Sequence, residues 1–284
     1  MKVVVFGCGY VGVQTARLFV EAGSEVIGVT RSAESADQLA RERFPVVARD
    51  ITDRAALASE ARFARPDVVI SAVSSGGGNA DDYRRLHLQG MQNILEVLQP
   101  TRAVFVSSTS VYAQVDGSSV DEWSPAEPDR ETGKILRQTE ELVLGQGGDV
   151  ARLAGIYGPG RSILLRKFFD GAAVVEGDGG HWINQIHRDD AARALLFLAQ
   201  TAPPGIFNVC DDTPLPQIVC YRWLAEKFQS PLPPSGPIDF QRKRAWTNKR
   251  VSNAKLRALG WQPRFPSFKD AVENDPELVV QARG

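Results

Sequence analysis

The residues that most constrain this chain are its first twelve. Lys2–Phe6 is a short, almost unbroken apolar run, and Gly7-Cys8-Gly9-Tyr10-Val11-Gly12 follows at once. Such a run suits a strand covered on both faces, as in a parallel sheet. From Val13 to Ala22 the spacing is helical: Val13, Ala16, Leu18, Phe19 and Val20 crowd one side, and Gly23 ends the segment. Strand, glycine turn and helix in that order give each glycine its own task. Gly7 permits a tight turn, Gly9 lets the backbone approach a pyrophosphate, and Gly12 lets the helix pack close to the strand. Tyr10 and Val11 lead into a helix N-terminus, which offers N–H groups and a positive dipole end to an anion.

The alternation continues. Strands fit Glu25–Thr30, Pro45–Ala48, Val68–Val73, Ala103–Ser107 and Val150–Leu153, and helices fit Ala33–Glu42, Asp53–Ala64, Asp81–Leu98 and Gly133–Leu144. The expected class is α/β, with a Rossmann-type doubly wound parallel sheet and a smaller C-terminal substrate-binding region. Beyond about residue 155 the rhythm loosens, with Gly and Pro dense at Gly158-Pro159-Gly160, Glu176–Gly180, Pro203-Pro204 and Pro231–Pro237. A helix fits Asp189–Gln200, with Asp189 or Asp190 as its N-cap, and a strand fits Gly205–Val209. The reading is a dinucleotide-binding domain over 1–155 and a substrate-binding region over 156–284, of which about 182–210 returns to the sheet.

Charge and cysteine usage narrow the partners. With 33 Lys+Arg against 34 Asp+Glu, the formal charge of −1 argues against a broad nucleic-acid-binding face. No run approaches the roughly 18 apolar residues of a membrane span, and the N-terminal apolar run stops at Gly7, too soon for a signal peptide. A cytoplasmic protein is expected. Cys8, Cys210 and Cys220 have no Cys-x-x-Cys spacing and read as free thiols, a Cys210–Cys220 bridge being the alternative. Three histidines without metal spacing predict no metal site.

The end of the second strand selects the cofactor. An NAD-binding unit places Asp or Glu there to hold the ribose 2′-OH, but this chain reads Thr30-Arg31-Ser32. A carboxylate would repel a 2′-phosphate, whereas Arg31 would pair with it, so NADP is favoured over NAD.

Further motifs carry a family resemblance. They are Arg49-Asp50-Ile51-Thr52-Asp53, Asp67–Val73, His87-Leu88-Gln89-Gly90-Met91-Gln92-Asn93, Val104–Tyr112, Arg152–Arg161 and His187-Arg188-Asp189-Asp190. Together they resemble the extended branch of the short-chain dehydrogenases/reductases, the NAD-dependent epimerase/dehydratase family, over nearly the whole chain. The resemblance implies that Asp50 and Ile51 meet the adenine. It places Ala72, Val73 and Ser74 along the ribose and Ser107 beside the cofactor. It puts the substrate-orienting hydroxyl on Ser108. The family's Tyr-x-x-x-Lys falls on Thr132 and Leu136, registered on Glu140-Glu141-Leu142, and its supporting Asn falls on His87. The chain therefore resembles an atypical member: either another residue supplies the acid/base, the candidates being Tyr112, His87, Lys134, Tyr83 and Tyr157, or the usual hydride chemistry is absent. The resemblance also implies a homodimer pairing through Asp81–Leu98 and Gly133–Leu144.

Two functions follow. One is an NADP-dependent epimerase/dehydratase-like oxidoreductase for a small hydroxylated or nucleotide-linked, sugar-type substrate. The other is a catalytically inactive NADP(H)-binding sensor or regulatory protein. Arg242-Lys243-Arg244 and Lys249-Arg250, interrupted by Trp246, read as a solvated segment or as a patch for an anionic substrate. Asn184 and Gln185 are candidate lining residues for the same site, and Gly76-Gly77-Gly78 is a connection able to move.

Overall fold

The computed structural model describes residues 1–201, 203–240 and 246–283. Seven strands form the central parallel sheet: β1 (Lys2–Phe6), β2 (Glu25–Thr30), β3 (Val46–Ala48), β4 (Val68–Ser71), β5 (Arg102–Ser108), β6 (Asp149–Leu153) and β7 (Ile206–Val209). Their order is β7-β6-β5-β4-β1-β2-β3. The first strand is central because it can be: Val3, Val4, Val5 and Phe6 have no exposed surface, and Val3 pairs with Val26 on one side and Val68 on the other. The order reverses between β1 and β4. At such a switch point the connections leave to opposite faces and open a crevice at the carboxyl ends of the strands.

Helices cover the sheet: α1 (Gly12–Glu21), α2 (Ala33–Gln38), α3 (Arg54–Ser59), α4 (Gly90–Leu98), α5 (Glu131–Gly145) and α6 (Arg188–Gln200). Leu57 from α3 and Ile94 and Leu98 from α4 pack on Val4, Phe6, Ile27 and Val69 of the strands. The helix expected over Asp81–Leu98 runs from Ala80, and its middle, Arg84–Gln89, is a π-helical turn.

Two compact units emerge. One comprises Met1–Val111, Ala126–Arg152 and Ala191–Phe207; the other comprises Tyr112–Pro125, Leu153–Asp190 and Asn208–Gly284. The second has its own core, in which Tyr157, Leu165, Phe168, Tyr221 and Phe268 meet.

Several local expectations change. The helix expected over Ala33–Glu42 ends at Gln38, and the strand expected over Val68–Val73 ends at Ser71. The helix expected over Asp53–Ala64 breaks after Ser59, because the Glu60 carboxylate turns to the Arg62 guanidinium and N–H and to Arg49. Asp189 and Asp190 lie inside α6 rather than capping it. His187 Nδ1 accepts the Asp189 N–H, and the Asp190 carboxylate accepts the N–H groups of Arg264 and Phe265 at 2.6 and 2.9 Å. All three cysteines are free and buried. Among the described residues, no helix is long and apolar enough to cross a membrane.

Candidate functional site

The glycine turn has the spacing that its sequence demands. Gly7 sits at φ +74°, and a Cβ there would lie 2.6 Å from the Ala72 and Val73 backbone. A Cβ on Gly12 would meet the Gly7 carbonyl oxygen at 2.2 Å, so α1 can approach β1 only with glycine at that place. Gly9 differs: a Cβ would meet nothing within 4 Å. The space over Gly9 is open, so the backbone there can approach a pyrophosphate where a side chain would intrude. Val11, at the head of α1, caps no N–H with its side chain, and the first turn carries no acid. The positive helix end is thus available to an anion.

A cavity of about 280 Å³ adjoins the turn. Gly7 lines it together with Thr30, Arg31 and Ser32 from the end of β2, Asp50 and Ile51 after β3, and Val73 and Ser74 after β4. Of the other expected cofactor residues, Gly9, Tyr10, Val11, Gly12, Ala72 and Ser107 do not line it. Sequence reasoning missed Phe6, Val29, Ser35, Arg49, Ser75, Gly76 and Leu86, which do. The two hydroxyls at the end of β2 serve the turn itself. Thr30 Oγ1 donates to the Ser32 carbonyl at 3.0 Å, and Ser32 Oγ caps α2 by accepting the Ser35 N–H. Arg31 stays exposed. Partial burial pulls the Asp50 carboxyl upward, but two hydrogen bonds from Thr52, with Arg85 and Arg31 nearby, hold it below the usual carboxylate range.

The catalytic positions are less regular. Ser108, half-buried at the end of β5, accepts the Ser110 N–H at 3.1 Å, which leaves its O–H to donate. Thr132 is half-buried in the first turn of α5, Leu136 is packed inside with 5% exposed, and Lys134 is exposed. His87 is buried between the rings of Tyr83 and Phe105, with centroids 4.9 and 6.1 Å away. Burial pushes its imidazole from 6.5 down to about 4, so it is neutral at ordinary pH. Tyr112 has no exposed surface, and its hydroxyl lies 2.8 Å from the Asp121 carbonyl oxygen and 2.9 Å from Asn208 Oδ1. Tyr157 is buried too, its phenol pushed well up by burial and by the carboxylates of Asp211, Asp190, Asp270 and Asp275.

Comparison with known proteins agrees with this geometry. The model of the NAD dependent epimerase/dehydratase family matches residues 3–210. The chain belongs to that family. Among solved structures it is similar to a protein from Methylobacillus flagellatus assigned as an NAD-dependent epimerase/dehydratase, at 29% identity and TM-score 0.79, covering 100% of this chain and 99% of that one. It is also similar in fold to the UDP-glucose 4-epimerase of Thermus thermophilus in complex with NAD, at 20% identity and TM-score 0.81, covering 100% and 99%. The same holds for the UDP-glucose 4-epimerase of Thermotoga maritima with UDP-glucose, at 19% identity and TM-score 0.81, covering 99% and 97%. A search of the curated proteins finds no match.

Two features of this epimerase/dehydratase-family chain were not found in its sequence. Glu140, with no exposed surface, is the hub of a buried network. Its Oε1 accepts from Ser107 Oγ at 2.6 Å and Arg152 Nε at 3.0 Å, its Oε2 from Arg152 Nη2 at 2.6 Å, and Arg137 pairs with it as well. This ties the end of β5 to α5 and β6. The sequence signal was the Glu140-Glu141 pair, which had served only to set a register. The second feature is Lys249, expected in a basic patch. It is buried, its Nζ donates to the Tyr112 carbonyl and Thr247 Oγ1 at 2.9 and 2.8 Å, and burial pushes it down to about 8. Arg250 is exposed and lies 5.1 Å from the Trp182 ring, whereas Arg242, Lys243 and Arg244 fall outside the described residues. The Asn184 side chain bonds the Lys249 carbonyl and the Val251 N–H and so holds backbone.

Proposed function

We propose that this chain is an NADP(H)-dependent oxidoreductase of the epimerase/dehydratase type, acting on a small hydroxylated or nucleotide-linked, sugar-type substrate. Arg31 carries the cofactor choice. It is the one charged side chain at the end of β2, and its neighbours Thr30 and Ser32 are engaged in shaping the turn. A guanidinium at this place recognises a 2′-phosphate through charge-assisted hydrogen bonds. Gly7, Gly9 and the start of α1 would take the pyrophosphate, and Asp50 the adenine amine. When bound, the nicotinamide supplies a site that accepts or gives a hydride. Ser108 then orients the substrate oxygen with its free O–H. The substrate class leans on the family and on neighbours solved with UDP-glucose or acting on dTDP-glucose.

Intrinsic fluorescence titration with NADPH and NADH tests the cofactor assignment. NADPH should bind at least about tenfold tighter, a difference of about 1.4 kcal/mol. Equal or reversed affinity removes the NADP assignment. A second reading, an NADP(H) sensor without catalysis, is favoured by Thr132 and the buried Leu136. Tight NADPH binding with no reduction of bound NADP by a panel of nucleotide sugars and simple alcohols would select it.

A further inference from the structure

We infer that Tyr83 is the proton donor to the substrate oxygen, replacing from a neighbouring helix the phenol that position 132 lacks. The inference rests on the NADP(H) oxidoreductase reading above and adds the missing acid to it.

Tyr83 is fixed at the carboxyl edge of the sheet. The chain leaves β4 through Gly76–Gly78 and enters a helical turn capped reciprocally by Asn79 and Asp82. In parallel sheets ligands bind at this edge. Tyr83 does not itself line the cofactor cavity, but in sequence it lies between residues that do: Val73, Ser74, Ser75 and Gly76 before it and Leu86 after it. The next residue, Arg84, pairs with Glu131 at 3.0 Å, and Glu131 adjoins Thr132. The Ala80–Tyr83 turn also packs on α5. Tyr83 is thus bracketed in sequence by a residue of the cofactor cavity and one tied to the helix turn where the family's phenol would stand.

The local helix turns the ring inward. The π turn Arg84–Gln89 widens the helix immediately after Tyr83, and such turns recur at functional sites. Tyr83 and His87 then meet ring to ring at 4.9 Å and 52°, and His87 also contacts Phe105 of β5 at 6.1 Å. Contact with a buried imidazole puts the Tyr83 ring on the sheet side of its helix. The residue nonetheless stays half-buried, so part of it faces open space. His87 is the positioning residue: its buried ring holds the phenol ring in a tilted contact. The other candidates are placed less well. Tyr112 and Tyr157 are sealed in the second unit's interior, and Lys134 is exposed.

The direction taken is carbonyl reduction, in which Tyr83 gives its hydroxyl proton to the substrate oxygen. The reduced dinucleotide, when bound, would supply the hydride to the carbonyl carbon; as the C=O π pair moves to oxygen, Tyr83 would give that oxygen its proton and the Tyr83 O–H bond would break. The carbonyl is reduced to an alcohol and the dinucleotide is oxidised. The phenolate regains its proton from solvent.

The test uses the full chain with tyrosine isotope-labelled at Cζ, Tyr83→Phe assigning the signal by its loss. NADPH should shift the Tyr83 signal, whereas the adenosine bisphosphate half of the cofactor alone should not. Should Tyr83→Phe fold poorly, His87→Gln assigns the same signal by displacing it. NADP-dependent turnover of the panel of nucleotide sugars and simple alcohols should fall by about 100-fold or more in kcat in Tyr83→Phe, with NADPH affinity and melting temperature unchanged, and no turnover by the wild type would itself overturn the inference. An unmoved Tyr83 signal despite NADPH binding, or an unchanged kcat, overturns the inference and leaves the binding reading intact. Failure of NADPH to bind at all overturns both.

Discussion

Neutralising Glu140 should unfold the first unit before anything else does. Glu140→Gln keeps the shape of the side chain and removes its charge. The Arg152 side chain, 2% exposed, then loses a bidentate carboxylate held at 2.6 and 3.0 Å and remains buried with its full charge. Removing one partner of a buried pair costs about 3–5 kcal/mol, because the buried guanidinium loses the opposite charge that offsets its desolvation. At about 2–4 °C per kcal/mol for a unit of this size, the melting temperature should fall by roughly 6–20 °C. Arg17–Glu42 is the control. Its arginine is 45% exposed, so Glu42→Gln should cost no more than about 1 kcal/mol. The double variant Glu140→Met/Arg152→Met should regain most of the loss, since an apolar pair of similar volume is often neutral or better. Differential scanning calorimetry at neutral pH reads all four proteins. A Glu140→Gln shift no larger than that of Glu42→Gln would refute the argument, as would a double variant no better than the single.

Gly9→Ala should melt like the wild type and bind NADPH about tenfold or more weakly by fluorescence titration, while Gly12→Ala, whose Cβ would meet the Gly7 carbonyl oxygen at 2.2 Å, should fail to accumulate as folded protein. Similar behaviour of the two would dissociate the turn from the ligand. Arg31→Glu should invert the NADPH-to-NADH preference by placing a carboxylate against the 2′-phosphate; an unaltered ratio in competition titrations assigns Arg31 to solvent. Because His87 has its pKa depressed from 6.5 to about 4, the unfolded chain binds its proton first as pH falls. That stability is therefore present above about pH 6.5 and lost toward about pH 4, by roughly 3 kcal/mol. Denaturant melts of His87→Gln across this window should show a shallower loss than the wild type, and parallel curves would contradict the burial argument.

The first half of the fold was legible because its signals are local. Glycines at positions 7, 9 and 12 act within one turn, and β1 is apolar at nearly every position because both its faces are covered. The end of β2 was equally readable, since the hydroxyl–arginine–hydroxyl triplet is contiguous. What was missed lies between distant segments. The Glu140 network joins positions 107, 137, 140 and 152, and no spacing rule links a strand end to a helix face and the next strand. Lys249 looked solvated because its neighbours in sequence are basic, whereas its neighbours in space are a carbonyl and a hydroxyl. Helix ends moved where a side chain outbid the helix for a backbone group, as Glu60 does after α3.

The replacement of Tyr-x-x-x-Lys in this chain involves more than two side chains. Ile135, Thr139 and Glu140 have no exposed surface and Leu136 almost none, so the face of α5 that a lysine at 136 would share is committed to packing. An ammonium there would be desolvated beside an apolar wall, which lowers its pKa and weakens the charge that the phenol's activation needs. On the inference drawn above, the acid stands instead on the helix that follows β4, where the Tyr83 ring meets the His87 imidazole at 4.9 Å.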